Sequence, residues 1–314
     1  MAIPPSFQYI LSDLISSDSN WSLHPFLDEN PSSFLKQSFE DLGILHPPTV
    51  QQSAGGRFEL ICGRRRFYAF QQYYNQTNLN CLILPPDLPA RTFLLYILTD
   101  QQLHSPLTPM ETAFFLKYCL LKIDEKEVLS FFLPRLGYKP HADILNQYTS
   151  LLKLEEKIQL QIHHGFIGEK LAFEFVDLPI NDRRIFSYLI ESLQPGAGKQ
   201  RRLISLSRDI AQRTHQSIAS LFEEQPFKQI IDHQEMNPPQ KMHFLLELLQ
   251  RVFYSRSDDA EKGFTDRIRR LDLPNNLTVT HSLNFEKNEV YLTIRYPDLQ
   301  SCEQAWLSNQ SIFK

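Results

Sequence analysis

Leu60-Ile61-Cys62-Gly63-Arg64-Arg65-Arg66-Phe67-Tyr68-Ala69 is the stretch that decides the reading of this chain. Phe58, Leu60 and Cys62 alternate with Glu59 and Ile61, the period of a half-buried strand. Gly63 permits a tight turn. From Arg65 onward Phe67, Phe70, Tyr73 and Tyr74 fall on one face of a helix. A strand, a glycine and a helix N-terminus together present main-chain N–H groups and a positive dipole end, a geometry that favours phosphate. Arginines there add charge-assisted, bidentate bonds. As a plain surface run the three cations are badly placed, because they repel one another and sit at the wrong end of the dipole. An anion removes that cost.

Outward from this stretch, composition and charge bound the possibilities. The 314 residues carry a formal net charge of -4, and 22% are charged against 42% hydrophobic. The length gives a soft expectation of two or three domains with real cores. The acidic balance argues against a bulk electrostatic nucleic-acid binder but leaves room for a local basic face. No stretch is long and apolar enough to span a membrane, and the N-terminus lacks a signal-peptide pattern, so a cytoplasmic protein is expected. Cys62, Cys81, Cys119 and Cys302 are scattered, with no Cys-x-x-Cys pair, and read as reduced, mostly buried thiols. His163-His164 has no ligand spacing and reads as a loop or helix end.

The pattern predicts an α+β fold in three parts. Residues 1–98 mix short strands (49–52, 58–62, 79–84) with helices (33–42 and a short one at 91–98). Residues 99–235 are almost wholly helical. Thr108-Pro109-Met110-Glu111 forms a capping box with proline at the first helical position. Asp124 is expected to cap the next helix in the same way. Residues 237–314 form an αββα unit: helices at 241–254 and 262–271, strands at 277–283 and 289–296 joined by a turn at 285–288, and a closing helix at 299–309. Helix, Leu136-Gly137 turn and helix at about 124–153 fit a helix-turn-helix.

The run from Leu35-Lys36-Gln37-Ser38-Phe39 through Gly43-Ile44-Leu45-His46-Pro47 and Val50 to Gly63-Arg64-Arg65-Arg66-Phe67-Tyr68-Ala69 resembles the N-terminal domain of ParB-type partition proteins. That family shows a leucine-x-x-serine-isoleucine helix, a glycine-to-proline turn, a strand, and then Gly-Glu-Arg-Arg-x-x-Ala. Arg64 stands where the family has glutamate. Asp100-Gln101-Gln102-Leu103-His104 through Leu107, Pro109, Glu111 and Ala113 is similar to the family's Glu-Asn-x-x-Arg-x-x-Leu-x-Pro-x-Glu-x-Ala segment. Asp100, Gln101 and His104 replace glutamate, asparagine and arginine. The resemblance spans roughly residues 35–175 and implies a small ParB/sulfiredoxin-like α/β domain, then an all-helical domain with the helix-turn-helix, then a small ββα-type C-terminal unit.

The resemblance also implies a ligand and partners. Gly63, Arg64, Arg65 and Arg66 would hold the phosphates of CTP, and Asp100 with Gln101 would bind Mg²⁺ through hard oxygen ligands. Double-stranded DNA, a ParA-type partner ATPase and nucleoid association follow from the same likeness, with at most weak CTP hydrolysis. Sulfiredoxins share the related fold and carry Gly-Cys-His-Arg. Here Cys62 precedes the glycine, so it reads as a core cysteine.

The residues themselves nominate DNA contacts. Asn146 and Gln147 on the second helix of the helix-turn-helix suit adenine edges, and Lys139 and His141 suit phosphates. That helix lacks arginine. Lys199, Arg201, Arg202 and Arg208 form a second basic segment, Arg201 and Arg208 being seven apart on one helix face. In the C-terminal unit Val279, Leu283, Val290, Leu292, Ile294 and Trp306 need more cover than one helix supplies, which points to a homodimer. The expected function is a ParB-like, CTP-dependent partition or nucleoid-associated switch that closes around DNA. The alternative is a ParB-derived interaction protein that has lost nucleotide switching and specific DNA reading.

Overall fold

The computed structural model describes residues 6–17, 23, 32–74, 77–271, 273–274, 276–281 and 289–308, with side chains omitted at 54, 255–262, 307 and 308. The fold is α+β and falls into two compact units, residues 1–191 and 192–314.

The first unit opens with a five-stranded mixed sheet in the order β1-β5-β3-β4-β2. Its strands are β1 (Phe7–Leu11), β2 (Ile15–Ser16), β3 (Thr49–Gln52), β4 (Phe58–Cys62) and β5 (Asn78–Leu84). β1 with β5 and β3 with β4 are antiparallel, while β3 with β5 and β2 with β4 are parallel. Helices α1 (Ser33–Leu42) and α2 (Arg64–Tyr73) cover the sheet. Ile10, Phe39, Val50, Leu60, Phe67, Phe70 and Leu79 form the core between them.

Two details position the site. Thr49 pairs with Cys62, but Val50 pairs with Leu60, so Ile61 is an extra residue on β4. Such a bulge resets the alternation and re-aims the side chain beyond it. Leu60 and Ile61 are both buried. Strict alternation therefore stops at the end of this strand.

Helix α3 (Ala90–His104) runs a turn and a half beyond the expected 91–98. Nothing between Leu98 and His104 breaks a helix, and Ser105-Pro106 is the first stop signal. Asp100 and Gln101 consequently ride on the C-terminal end of α3. Helix α4 (Pro109–Lys122) starts with the expected capping box: Thr108 Oγ1 accepts from Glu111 N at 3.2 Å, and Thr108 N donates to Glu111 Oε2 at 2.8 Å.

Helix α5 (Glu125–Glu127) continues through a π-helical stretch, Val128–Phe132, into α6 (Leu133–Arg135). Asp124 occupies the N-cap position, but its side chain makes no cap hydrogen bond, unlike the expectation for it. Gly137, at φ +88°, turns the chain toward α7 (Ala142–Leu151). A left-handed residue ends a helix at low cost only as glycine. α8 (Glu156–His163), α9 (Glu169–Val176) and α10 (Ile180–Leu193) follow. His163 closes α8, and its Nδ1 lies 3.0 Å from Thr108 Oγ1.

The second unit holds α11 (Ala197–Thr214), α12 (Ile218–Glu223), α13 (Gln225–Ile231) and α14 (Pro238–Arg270). The break at Gln194-Pro195-Gly196 precedes α11, and an Asn237–Gln240 capping box opens α14. α14 is one helix where the sequence suggested two. Ser255 to Asp259 resemble a loop in composition, but an isolated Gly263 and no proline fail to break the periodic run. β6 (Leu277–His281) and β7 (Val290–Ile294) pair antiparallel, and α15 (Leu299–Ser308) follows. The expected turn at 285–288 and Leu283 lie outside the described residues.

Candidate functional site: an arginine-lined cavity

The chemistry concentrates in a cavity of about 430 Å³ where the end of β4, the start of α2, the end of α3 and the first turn of α1 meet. Gly63, Arg64, Arg65 and Arg66 line one side; Asp100 and Gln101 line another. These two sequence segments, separated by the whole of β5, are thus brought to one place. Gly63 is the N-cap of α2 at φ +88°. A Cβ there would meet Pro48 Cα at 3.0 Å and Arg66 Nη2 at 3.2 Å. Only glycine lets the turn lie this close to the preceding loop.

The arginines have different duties. Arg66 Nη1 donates to the carbonyl oxygens of His46 at 2.6 Å and Pro47 at 3.4 Å. It fixes the loop that forms the rim. Arg65 is exposed, and Arg64 is half-buried.

Below them the bulge delivers Cys62 into the cavity instead of the core. This corrects the reading of Cys62 as a core cysteine. Its thiol faces the Asp100 carboxylate within the cavity. Burial first, then the charge of Asp100, pushes that thiol well above the ordinary cysteine range, while Arg66 pulls the other way. Opposite Cys62, Thr49 Oγ1 lies 2.8 Å from Tyr96 Oη. Tyr96 and Asp100 are four apart on α3, so successive turns of that helix face one cross-strand pair. Burial raises the Tyr96 hydroxyl as well.

Asp100 and Gln101 offer two oxygen donors. Gln101 spends its amide nitrogen on Ser105 Oγ at 3.1 Å, leaving its carbonyl oxygen as an acceptor. No cluster of three or more metal-ligating side chains occurs among the described residues. That donor set suits a Mg²⁺ ion whose remaining positions are filled by phosphate oxygens and water, the usual mode for this ion. The cavity volume lies in the range of small-molecule sites.

The nominated DNA contacts form two groups. Lys139 and His141 in the turn before α7, and Asn146 and Gln147 on α7, are all exposed in the first unit. Asn146 and Gln147 border a shallow groove whose other polar residues include Asp143, Glu174 and Asp177. Lys199, Arg201 and Arg202 are exposed on α11 and its first turn in the second unit, with Arg208 half-buried.

Sequence reasoning missed Thr49 and Tyr96, which carry no motif, and misassigned Cys62 because a one-residue bulge leaves no mark on the sequence.

No family model matches the chain, and no curated protein does. Solved structures do. The chain is similar to ParB-type partition proteins. A C-terminally truncated chromosome-partitioning protein ParB from Caulobacter crescentus, complexed with CTP-gamma-S, is 16% identical at a TM-score of 0.27, covering 59% of this chain and 98% of that one. The truncated ParB from the same organism complexed to the centromeric parS site is 16% identical at a TM-score of 0.34, covering 59% and 91%. A Pnob8-like ParB-N domain is 11% identical at 0.39, covering 80% and 99%.

Proposed function

We propose that this chain is a ParB-like, DNA-associated partition protein whose cavity binds a nucleoside triphosphate with Mg²⁺. The observation that carries the reading is the convergence of Gly63, Arg64, Arg65 and Arg66 with Asp100 and Gln101 on one cavity. Backbone N–H groups at the start of α2 and the Arg65 guanidinium would hold phosphate oxygens. Arg66 would orient the rim loop, and Asp100 and Gln101 would hold the metal, which neutralises phosphate charge when bound. CTP is preferred over other nucleotides on the motif resemblance alone, and hydrolysis, if any, is weak.

The proposed organisation has a nucleotide-binding part at 1–98, a helical part with a helix-turn-helix at 99–235, and a dimerising unit at 237–314. Exposure of Val290 (63%), Leu292 (50%) and Trp306 (56%) supports a homodimer, because a two-stranded sheet cannot bury them alone. Nucleotide binding would favour closure of the dimer around DNA. A ParA-type ATPase partner and nucleoid association complete the proposal. No helix among the described residues is long and apolar enough to cross a membrane.

One observation favours a second reading. The exposed face of α7 is flanked by Asp143, Glu174 and Asp177 and carries no arginine. Carboxylates beside a duplex repel phosphate. A ParB-derived interaction protein that reads no DNA sequence would tolerate them.

Fluorescence anisotropy of labelled duplex DNA at low salt separates the two. The first reading expects binding that changes on addition of CTP and Mg²⁺, and expects that change to vanish in an Arg65→Ala, Arg66→Ala variant. Absence of any DNA binding, with or without nucleotide, rejects it in favour of the second.

A further inference from the structure

The lining of the cavity is of two kinds. The start of α2 and the end of α3 supply charge through Arg64, Arg65, Arg66 and Asp100. Leu23, Leu60, Ile61 and Ile97 line it as well, all buried and none able to bond an anion. A phosphate group gains nothing from such a wall, because charge set against apolar carbon loses its hydration without compensation. A ligand that fills the cavity is therefore an anion in one part and an uncharged body, with faces that tolerate apolar carbon, in the other.

Phe34 stands at the mouth of this cavity. It belongs to the first turn of α1, lines the cavity and is 81% exposed. α1 buries Phe39, and Leu35 packs against the same core. Phe34 lies about 100° around the helix from Leu35, off the buried stripe. Helical side chains lean toward the helix N-terminus, and the starts of both helices, Ser32 for α1 and Gly63 for α2, open onto the cavity. A single exposed phenyl is ordinary on a protein surface. This one borders a cavity with an apolar wall and a cationic one, and among the described residues no other ring or cation covers it.

We propose that Phe34 is the platform on which the nucleobase stacks while the phosphates lie at the start of α2. This rests on reading the cavity as a nucleotide site and adds the residue that holds the base. Stacking on the ring covers an apolar surface that is otherwise left to water. Every base presents a π face, so the stack supplies affinity for a nucleotide over bare polyphosphate and does not choose among bases.

The test is calorimetric titration of the full chain with CTP and with sodium tripolyphosphate, each with Mg²⁺, comparing the wild type with Phe34→Ala and Phe34→Tyr. Phe34→Ala is expected to weaken CTP about tenfold and to leave tripolyphosphate within about twofold, and Phe34→Tyr to restore CTP. Unchanged CTP affinity in Phe34→Ala overturns the proposal. An equal loss for both probes overturns it too, since Phe34 would then support the shape of the site and not touch the base. In either case, loss of binding in the Arg65→Ala, Arg66→Ala variant leaves the phosphate site standing and only the stacking role falls. If the wild type binds neither probe, the nucleotide reading and this proposal fall together. Should far-ultraviolet circular dichroism show Phe34→Ala unfolded, Phe34→Trp decides. Its added emission, measured against a wild type that carries Trp21 and Trp306, is expected to be quenched by CTP and not by tripolyphosphate; no quenching at saturating CTP overturns the proposal.

Discussion

The Cys62 thiol sits beside the Asp100 carboxylate in the arginine-lined cavity, near enough for the carboxylate to hold the thiol in its neutral form. The placement exists because Ile61 is bulged out of the β4 ladder. It brings the end of a core strand to the end of α3, the helix that carries both candidate metal ligands. Burial and the neighbouring carboxylate keep the thiol protonated. Alkylation of Cys62 by iodoacetamide at neutral pH is therefore expected to be slow, because the thiolate is the nucleophile. Asp100→Asn removes the negative charge and is expected to speed that alkylation several-fold. Peptide mass spectrometry at Cys62 measures the rate, and an unchanged or lower rate in the variant contradicts the placement.

Gly63→Ala should damage both stability and binding. The position combines φ +88° with a Cβ contact of 3.0 Å to the Pro48 main chain. A loss of about 1–3 kcal/mol in folding free energy is expected. Urea unfolding checks it. Wild-type stability in this variant would mean the turn can relax, and the close approach to Pro48 would carry no weight.

Helix α3 is anchored again near both of its ends. The Arg91 and Arg135 guanidinium carbons sit 3.7 and 3.4 Å from the centroid of the Phe131 ring, and Gln102 donates to the Arg135 carbonyl oxygen at 3.1 Å. Phe131 belongs to the π-helical stretch that leads to α7. Phe131→Leu keeps an apolar side chain and removes both cation–π contacts. The expected cost is about 1–2 kcal/mol, read from the urea midpoint. No measurable cost would mean the stack is incidental.

Stability should fall on the alkaline side. Burial raises Cys81 to about 12. A group whose folded pKa exceeds its unfolded value stabilises the fold below the unfolded value, and that stability is lost as pH rises toward the folded one. Between about pH 9 and pH 12 the unfolded chain ionises Cys81 while the fold holds it neutral. Thermal melts are expected to drop across that window, and Cys81→Ala is expected to flatten the slope. An identical slope in the variant would contradict the assignment.

The acidic flank of α7 makes a separate prediction. Glu174→Gln with Asp177→Asn should tighten duplex binding at low salt if Asn146 and Gln147 face DNA, since two charges repelling phosphate disappear. Anisotropy at several salt concentrations reads this. Unchanged affinity would move DNA contact away from α7.

Much of this architecture could be read from the residues. The period-two run ending at Cys62, the glycine and the aromatic face of α2 specified strand, turn and helix, because each local signal agreed with the others. The Thr108–Glu111 box marked a helix start by side-chain chemistry alone, whereas α14 opens on its Asn237–Gln240 box three residues before the expected start at 241. What escaped was non-local. The bulge at Ile61 depends on pairing with β3, and the Thr49–Tyr96 contact on how α3 packs. Gly63, Arg65, Asp100 and Gln101 were singled out through motif likeness, yet their meeting at one cavity became visible only with the start of α2 and the end of α3 in space. α14 was split because its middle is polar, although nothing in it ends a helix.

The most direct test of the central claim is calorimetric titration of the full chain with CTP, ATP, GTP and UTP in the presence of Mg²⁺, repeated with the Arg65→Ala, Arg66→Ala variant. The account predicts saturable binding of CTP in preference to the other three, abolished in the variant while its circular dichroism stays native. No binding of any nucleotide, or binding that survives loss of both arginines, would contradict it.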